Sequence, residues 1–219
     1  MKKAKIKDKD KDKDKNKDKE EPFKIITIGD TQVGKTCILL RYIQNKFCEN
    51  TIQTIGFDKN YRDLKLKNGK IIKICVIDTA GQEKYNSLNK NYVKNVDGVL
   101  FVFDLSNKTS FHNIKKWLDF FNENNTSLKM IPKYLIGNKK DLPREVDSDM
   151  VDIILEENKE LNYKETSAKD NNDNQINELF QEMGEKIYTF YLKNRKNKGK
   201  NIKKLSEYKE NQNRECFCL

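Results

Sequence analysis

Histidine is all but missing: His112 is the only one in 219 residues, which excludes a histidine-based catalytic triad or a histidine zinc site. Long apolar runs are missing too. No stretch approaches the roughly 20 residues of a membrane-spanning helix, and the polar start at Met1-Lys2 reads neither as a signal peptide nor as an N-myristoylation site. Cysteine is sparse and unpatterned. Cys37, Cys48, Cys75, Cys216 and Cys218 form an odd set without zinc-type spacing, so thiols in a reducing compartment are expected rather than a disulfide scaffold. Cys37 and Cys75 lie on apolar segments and read as small buried residues, Cys48 as a partly exposed thiol. The net charge of +10 is not a property of the body of the chain. Residues 1–21 carry 10 Lys against 7 acidic residues, residues 193–219 carry 9 Lys/Arg against 3 Glu, and 22–192 is nearly balanced, with 25 basic and 24 acidic. A neutral body with basic ends does not fit a nucleic-acid-binding domain, whose cations belong on the folded face.

The balance divides the chain into three parts. Residues 1–21 are a low-complexity Lys/Asp alternation that cannot bury enough surface to offset ordering, so disorder is expected. Residues 193–219 are expected to form a basic flexible tail. Between them, Phe23–Ile28, Gly98–Phe103 and Tyr134–Ile136 are short, nearly continuous apolar runs, typical of parallel strands buried on both faces. Helical stripes alternate with them: Phe111, Ile114, Trp117, Leu118 and Phe121; Val151, Ile154 and Leu155; Ile176, Leu179, Phe180, Met183, Ile187 and Phe190. Leu64 and Leu66 followed by Asn68-Gly69 and then Ile72, Ile74 and Val76 predict a hairpin with a two-residue turn. The pattern describes one α/β domain over 22–192, doubly wound, with a mostly parallel sheet and one antiparallel edge. Ligands in such folds bind in loops at the carboxyl ends of the strands.

The motifs fall in those loops. The first strand runs into GDTQVGKT, Gly29–Thr36, which matches G-x-x-x-x-G-K-[ST]; its glycines let backbone N–H groups wrap a phosphate, Lys35 adds a point charge, and Thr36 is a magnesium ligand. The strand after the hairpin ends in DTAGQE. Asp78 can hold magnesium directly or through water, Gly81 can turn its N–H to a terminal phosphate, and the Gln82 amide can engage an attacking water. GNKKDL brings Asn138, Lys139 and Asp141. A carboxylate there can pair with the two N–H donors on one edge of guanine, which adenine lacks, while ETSAK (165–169) offers backbone N–H groups to the guanine carbonyl.

GDTQVGKT, TIG, DTAGQE, NKKD and TSAK, in this order, resemble the small GTPases of the Ras superfamily, over about residues 22–192. TIG, EKYNSL after DTAGQ, the basic tail and the terminal cysteines resemble the Rab branch. The resemblance implies a six-stranded phosphate-loop GTPase fold and GTP or GDP bound by Gly29, Asp30, Thr31, Gln32, Val33, Gly34, Lys35, Thr36, Cys37, Phe47, Thr54, Asp78, Gly81, Asn138, Lys139, Asp141, Ser167, Ala168 and Lys169. It implies Mg2+ on Thr36, Thr54 and Asp78, Phe47 stacked on the base, and Gln82 as the catalytic residue that positions water. Exchange factor, GTPase-activating protein, effectors and prenylation machinery are the implied partners, with no nucleic acid. The implied place is the cytosolic face of an intracellular membrane, in vesicle traffic. CFCL reads either as a C-a-a-X box prenylated on Cys216 or as a displaced C-x-C modified on Cys216 and Cys218, with the basic tail as second membrane signal. Several residues depart from the family pattern. Ile77 stands where Rabs carry Trp, and Lys59 where they carry Phe. Thr31 and Gln32 occupy positions that are glycines in Ras, and bulk there predicts slow intrinsic hydrolysis. Two rivals stay open at this point: a nucleotide-bound interaction module with negligible turnover, and a Ras-type signalling GTPase.

Overall fold

Alternation along the buried strands decides the architecture. In Phe23–Ile28 (β1), Phe23 and Ile25 face one apolar cluster while Ile26 and Ile28 face another. Gly98–Asp104 (β4) repeats the division: Leu100 and Val102 join the first cluster, Val99, Phe101 and Phe103 the second. Strands apolar on both faces require a covering layer on each side. The computed structural model, which describes residues 21–48, 57–79, 93–125, 131–170 and 174–215, supplies both. Lys35–Gln44 (α1) and Gln175–Glu215 (α5) cover the first cluster with Ile38, Leu39, Tyr42, Leu179, Phe180 and Met183. Lys108–His112 (α2), Ile114–Asn124 (α3) and Ser148–Glu157 (α4) cover the second, through Phe111, Trp117, Phe121 and Val151.

Phe57–Lys65 (β2), Ile71–Thr79 (β3), Lys133–Asn138 (β5) and Leu161–Glu165 (β6) complete a six-stranded sheet of order β2-β3-β1-β4-β5-β6. Every neighbouring pair is parallel except β2 with β3, so the antiparallel pair sits at one edge, as expected. The connection between them differs from the expected two-residue turn. Leu66 N–H donates to Lys70 O and Gly69 N–H to Leu66 O, leaving Lys67, Asn68 and Gly69 as a three-residue loop. Gly69 takes φ +82°, so the loop is a turn followed by a left-handed bulge residue, the other short hairpin solution an Asn-Gly pair satisfies.

The last helix also differs from expectation. Its apolar stripe ends near Phe190, and a flexible tail was expected from residue 193, yet the helical backbone continues to Glu215. The extension lacks proline and is rich in Lys, Arg and Glu, all good helix formers, although Gly199 and several Asn residues are weak positions. Among the described residues no helix is long and apolar enough to cross a membrane. The expected Lys/Asp extension (1–20) lies outside the described residues.

Candidate functional site

The carboxyl ends of β1, β3, β4, β5 and β6 carry the polar residues that the motifs singled out. β1 ends at Ile28 and the loop 29–34 leads into α1, which starts on Gly34 with no side-chain cap and no acidic residue in its first turn. The positive end of the helix therefore faces the loop. Lys35 is 5% exposed, an unusual state for a lysine, and its ammonium donates to Gly29 O at 2.9 Å and Asp30 O at 2.6 Å. Two carbonyls thus fix the cation across the loop it closes.

Thr36 and Asp78 meet next to it. Thr36 Oγ1 donates to Asp78 Oδ2 at 2.6 Å, joining α1 to β3, and Asp78 is 2% exposed. Thr27 Oγ1 stands 3.4 Å from Asp78 Oδ1, and Thr79 Oγ1 donates to Thr27 O at 2.7 Å, so the carboxylate is oriented from β1 as well. A hydroxyl and a carboxylate converging at this distance are the hard oxygen donors that suit Mg2+, an ion that keeps several waters.

The third group lies where β5 and β6 end. Asn138, buried at 1% exposure, donates from Nδ2 to Val33 O at 2.9 Å and accepts from Thr166 Oγ1 at 3.2 Å. This one amide ties the phosphate loop to the loops after β5 and β6. Lys139 sits in the left-handed region (φ 62°) with its ammonium 2.7 Å from Asp104 Oδ2 at the end of β4. Asp141 is exposed and accepts from Ser167 Oγ, which also receives Asp170 N–H at 2.8 Å. Ala168 is buried, and its carbonyl and that of Lys169 accept from Arg41 of α1. Glu165 braces this corner. Burial pushes its carboxyl up, but hydrogen bonds from Arg144 and Tyr163 outweigh that and hold it below the usual range.

The expected site residues thus converge from loops far apart in sequence. Phe47 is half-buried, packed against the α1–α5 cluster, and Cys48 beside it is exposed. Cys75 is in the core, but Cys37 is only half-buried, since α1 turns that face toward the Phe47 segment, where its thiol lies 3.9 Å from Cys48 O. Gln32 adopts φ 61°, a conformation that favours glycine, and its side chain is exposed. Lys59 and Ile77, which both depart from the Rab pattern, are register partners across β2 and β3. Thr54, Gly81, Gln82, Cys216 and Cys218 lie outside the described residues. The motifs did not reveal Asp104 or Arg41, nor that Thr166, inside TSAK, bonds to Asn138. Nor did they reveal the partners of Asp30, whose carboxylate receives Asn113 Nδ2 and Trp117 Nε1. These contacts span the chain and leave no local spacing to read.

The sheet order, the lysine-closed loop and the uncapped helix behind it define a phosphate-loop nucleotide-binding fold. A model of the Ras family matches residues 24–189. Ras-related protein Rab-11B of Dictyostelium discoideum is 40% identical over 174 residues, covering 78% of this chain and 76% of the relative. GTP-binding protein ypt1 of Schizosaccharomyces pombe is 37% identical over 68% of this chain and 72% of the relative. Ras-related protein SEC4 of Saccharomyces cerevisiae is 36% identical over 72% and 71%. The chain belongs to the Ras family as a Rab-like small GTPase, an enzyme that binds and hydrolyses GTP.

Proposed function

We propose that this chain is a membrane-traffic switch whose nucleotide site is the loop cluster built on Gly29–Cys37, Phe47, Asn138, Lys139, Asp141 and Ser167–Lys169. The observation that carries the reading is Asn138, which holds Val33 of the phosphate loop and Thr166 of the base loop at once, so that phosphates and base are gripped by one rigid unit. Lys35, held by two carbonyls, presents its charge to the phosphates, and the exposed Asp141 carboxylate is placed by Ser167 to accept from the guanine edge. Thr36 and Asp78, with Thr54, would hold Mg2+, whose contribution is to neutralise charge on the phosphate oxygens. Gln82 orients the hydrolytic water, and Thr31 with Gln32 slows its attack.

The GTP-bound state orders the segments around Thr54 and Gly81 for effectors, and hydrolysis releases them. Exchange factor and GTPase-activating protein set the two rates. Prenylation at Cys216, or at Cys216 and Cys218, together with the basic residues 193–214, anchors the protein to the cytosolic face of an intracellular membrane. The part of α5 beyond Phe190, as far as Glu215, rises about 37 Å, which supports holding the globular body away from the lipid surface.

The test is Asp141→Asn. Its amide presents a donor where guanine presents donors, so GDP affinity is expected to fall about a hundredfold or more while that for xanthosine diphosphate rises. Unchanged preference between the two bases would overturn the assignment of the base loop.

A further inference from the structure

Asp30 is the residue of the phosphate loop whose side chain is used from behind. Its carboxylate is 7% exposed, and the donors it receives come from the α2–α3 corner. Asn113 Nδ2 donates to Oδ2 at 2.7 Å and Trp117 Nε1 to Oδ1 at 2.8 Å, from 83 and 87 residues away. Asn113 is itself fixed: its Oδ1 accepts from Lys116 Nζ at 3.0 Å, so the amide cannot rotate its oxygen toward Asp30 without losing that bond. The main-chain carbonyl of the same Asp30 accepts from Lys35 Nζ at 2.6 Å. Asp30 therefore joins α3, through its side chain, to the phosphate-facing cation, through its backbone.

A buried carboxylate needs partners, and the choice of partner has consequences here. Two neutral donors aimed at separate oxygens fix the carboxylate's orientation without placing another cation beside Lys35 to compete for the phosphates. A fixed side chain fixes the peptide that follows it, hence the carbonyl that aims the lysine. We propose that Asn113 and Trp117 are positioning residues for nucleotide retention: by clamping Asp30 they hold Lys35 in line with the phosphates, and loosening the clamp speeds nucleotide release. The inference rests on the nucleotide-site reading above.

The experiment is release of fluorescently labelled GDP from the full chain in Mg2+, chased by excess unlabelled GDP, with thermal midpoints measured in parallel. Trp117→Phe removes the N–H while keeping a ring, and Asn113→Ala removes the other donor. Phe120→Leu is the packing control, because its ring meets Trp117 edge-on at 6.5 Å without touching Asp30. Each clamp variant is expected to release GDP about tenfold faster, the effect of one lost bond to a charged group, while Phe120→Leu stays near wild type even where its thermal midpoint falls as far. The decisive readout is non-additivity. In an Asp30→Ala background, Trp117→Phe and Asn113→Ala should change release no further, because the group they act through is gone. Release that merely follows the thermal midpoint, or effects that multiply in the Asp30→Ala background, would overturn the proposal. If Trp117→Phe does not fold, Asn113→Ala carries the same cycle alone. A wild type that retains no labelled GDP overturns the nucleotide reading together with this one, whereas clamp variants that release at the wild-type rate overturn this one only.

Discussion

Gly34→Ala tests how tightly the phosphate loop is fitted to the base loop, and its cost divides into two parts. Gly34 has φ +92°, so any side chain there is strained by about 1–2 kcal/mol. A Cβ on Gly34 would also lie 2.3 Å from Asn138 Nδ2, far inside contact distance. That atom could move away cheaply if Asn138 were mobile. It is not: the residue is 1% exposed, donates to Val33 O and accepts from Thr166 Oγ1. Displacing it leaves buried polar groups unpaired, at about 1–3 kcal/mol, for a total of about 2–5 kcal/mol. Gly69→Ala supplies the control, with φ +82° and nothing within 4 Å, so it pays the strain alone. Urea unfolding of both variants without nucleotide, alongside competition binding of GDP, separates the two parts. Gly34→Ala should be the less stable by about 1–3 kcal/mol and lose at least tenfold in GDP affinity, while Gly69→Ala binds normally. Equal destabilisation by the two substitutions would refute the claim that Asn138 is the rigid link.

Three further outcomes are expected. Gln32→Gly should raise the single-turnover rate of GTP hydrolysis several-fold, with stability changing by under about 1 kcal/mol because relieved strain at φ 61° is offset by added freedom of the unfolded chain; an unchanged rate would show that this side chain does not limit the reaction. Tyr42→Phe should be neutral or stabilising by up to about 1 kcal/mol in urea unfolding, since the Tyr42 hydroxyl is buried without a partner among the described residues and burial, against the opposing effect of Arg62, pushes its pKa up to about 12; a loss above 1 kcal/mol would mean that the hydroxyl is satisfied after all. Glu165→Gln should cost about 1 kcal/mol at pH 7, because a carboxyl whose folded pKa is lowered adds stability above its unfolded pKa and loses it as pH falls through the folded value. The difference between variant and wild type should therefore shrink below about pH 4, and a difference as large at pH 3 would show that the ionised carboxylate is not the stabilising form.

What could be read from the sequence was whatever a local run of residues determines. FKIITI is a strand because a nearly continuous apolar run rich in β-branched residues suits burial on both faces, and β1 has those same limits, Phe23–Ile28. YLI was legible as the centre of β5, but not Lys133 at its start, because a buried lysine reads as a strand end until Glu160 and Asn122 are seen to receive its ammonium. LNYKE, the edge strand β6, gave no signal: every residue after Leu161 is half-exposed, so polar residues are tolerated and the apolar run disappears. The extent of α5 was missed for a related reason, since periodicity reports packing, and a helix that leaves the domain stops packing before it stops being a helix. The site divides along the same line. Gly29–Thr36 is legible because phosphate wrapping is done by consecutive backbone groups, which forces a contiguous pattern. The clamp on Asp30, the Arg41 contacts to Ala168 and Lys169, and the Asn138 bridge to Val33 join residues 83 to 128 positions apart. They constrain no neighbour in sequence and become visible only once the strand order has brought β1, β4, β5 and β6 side by side. The chemistry of this site is thus written locally, while its rigidity is written in the topology, and substitutions that spare every motif can still loosen the grip on nucleotide.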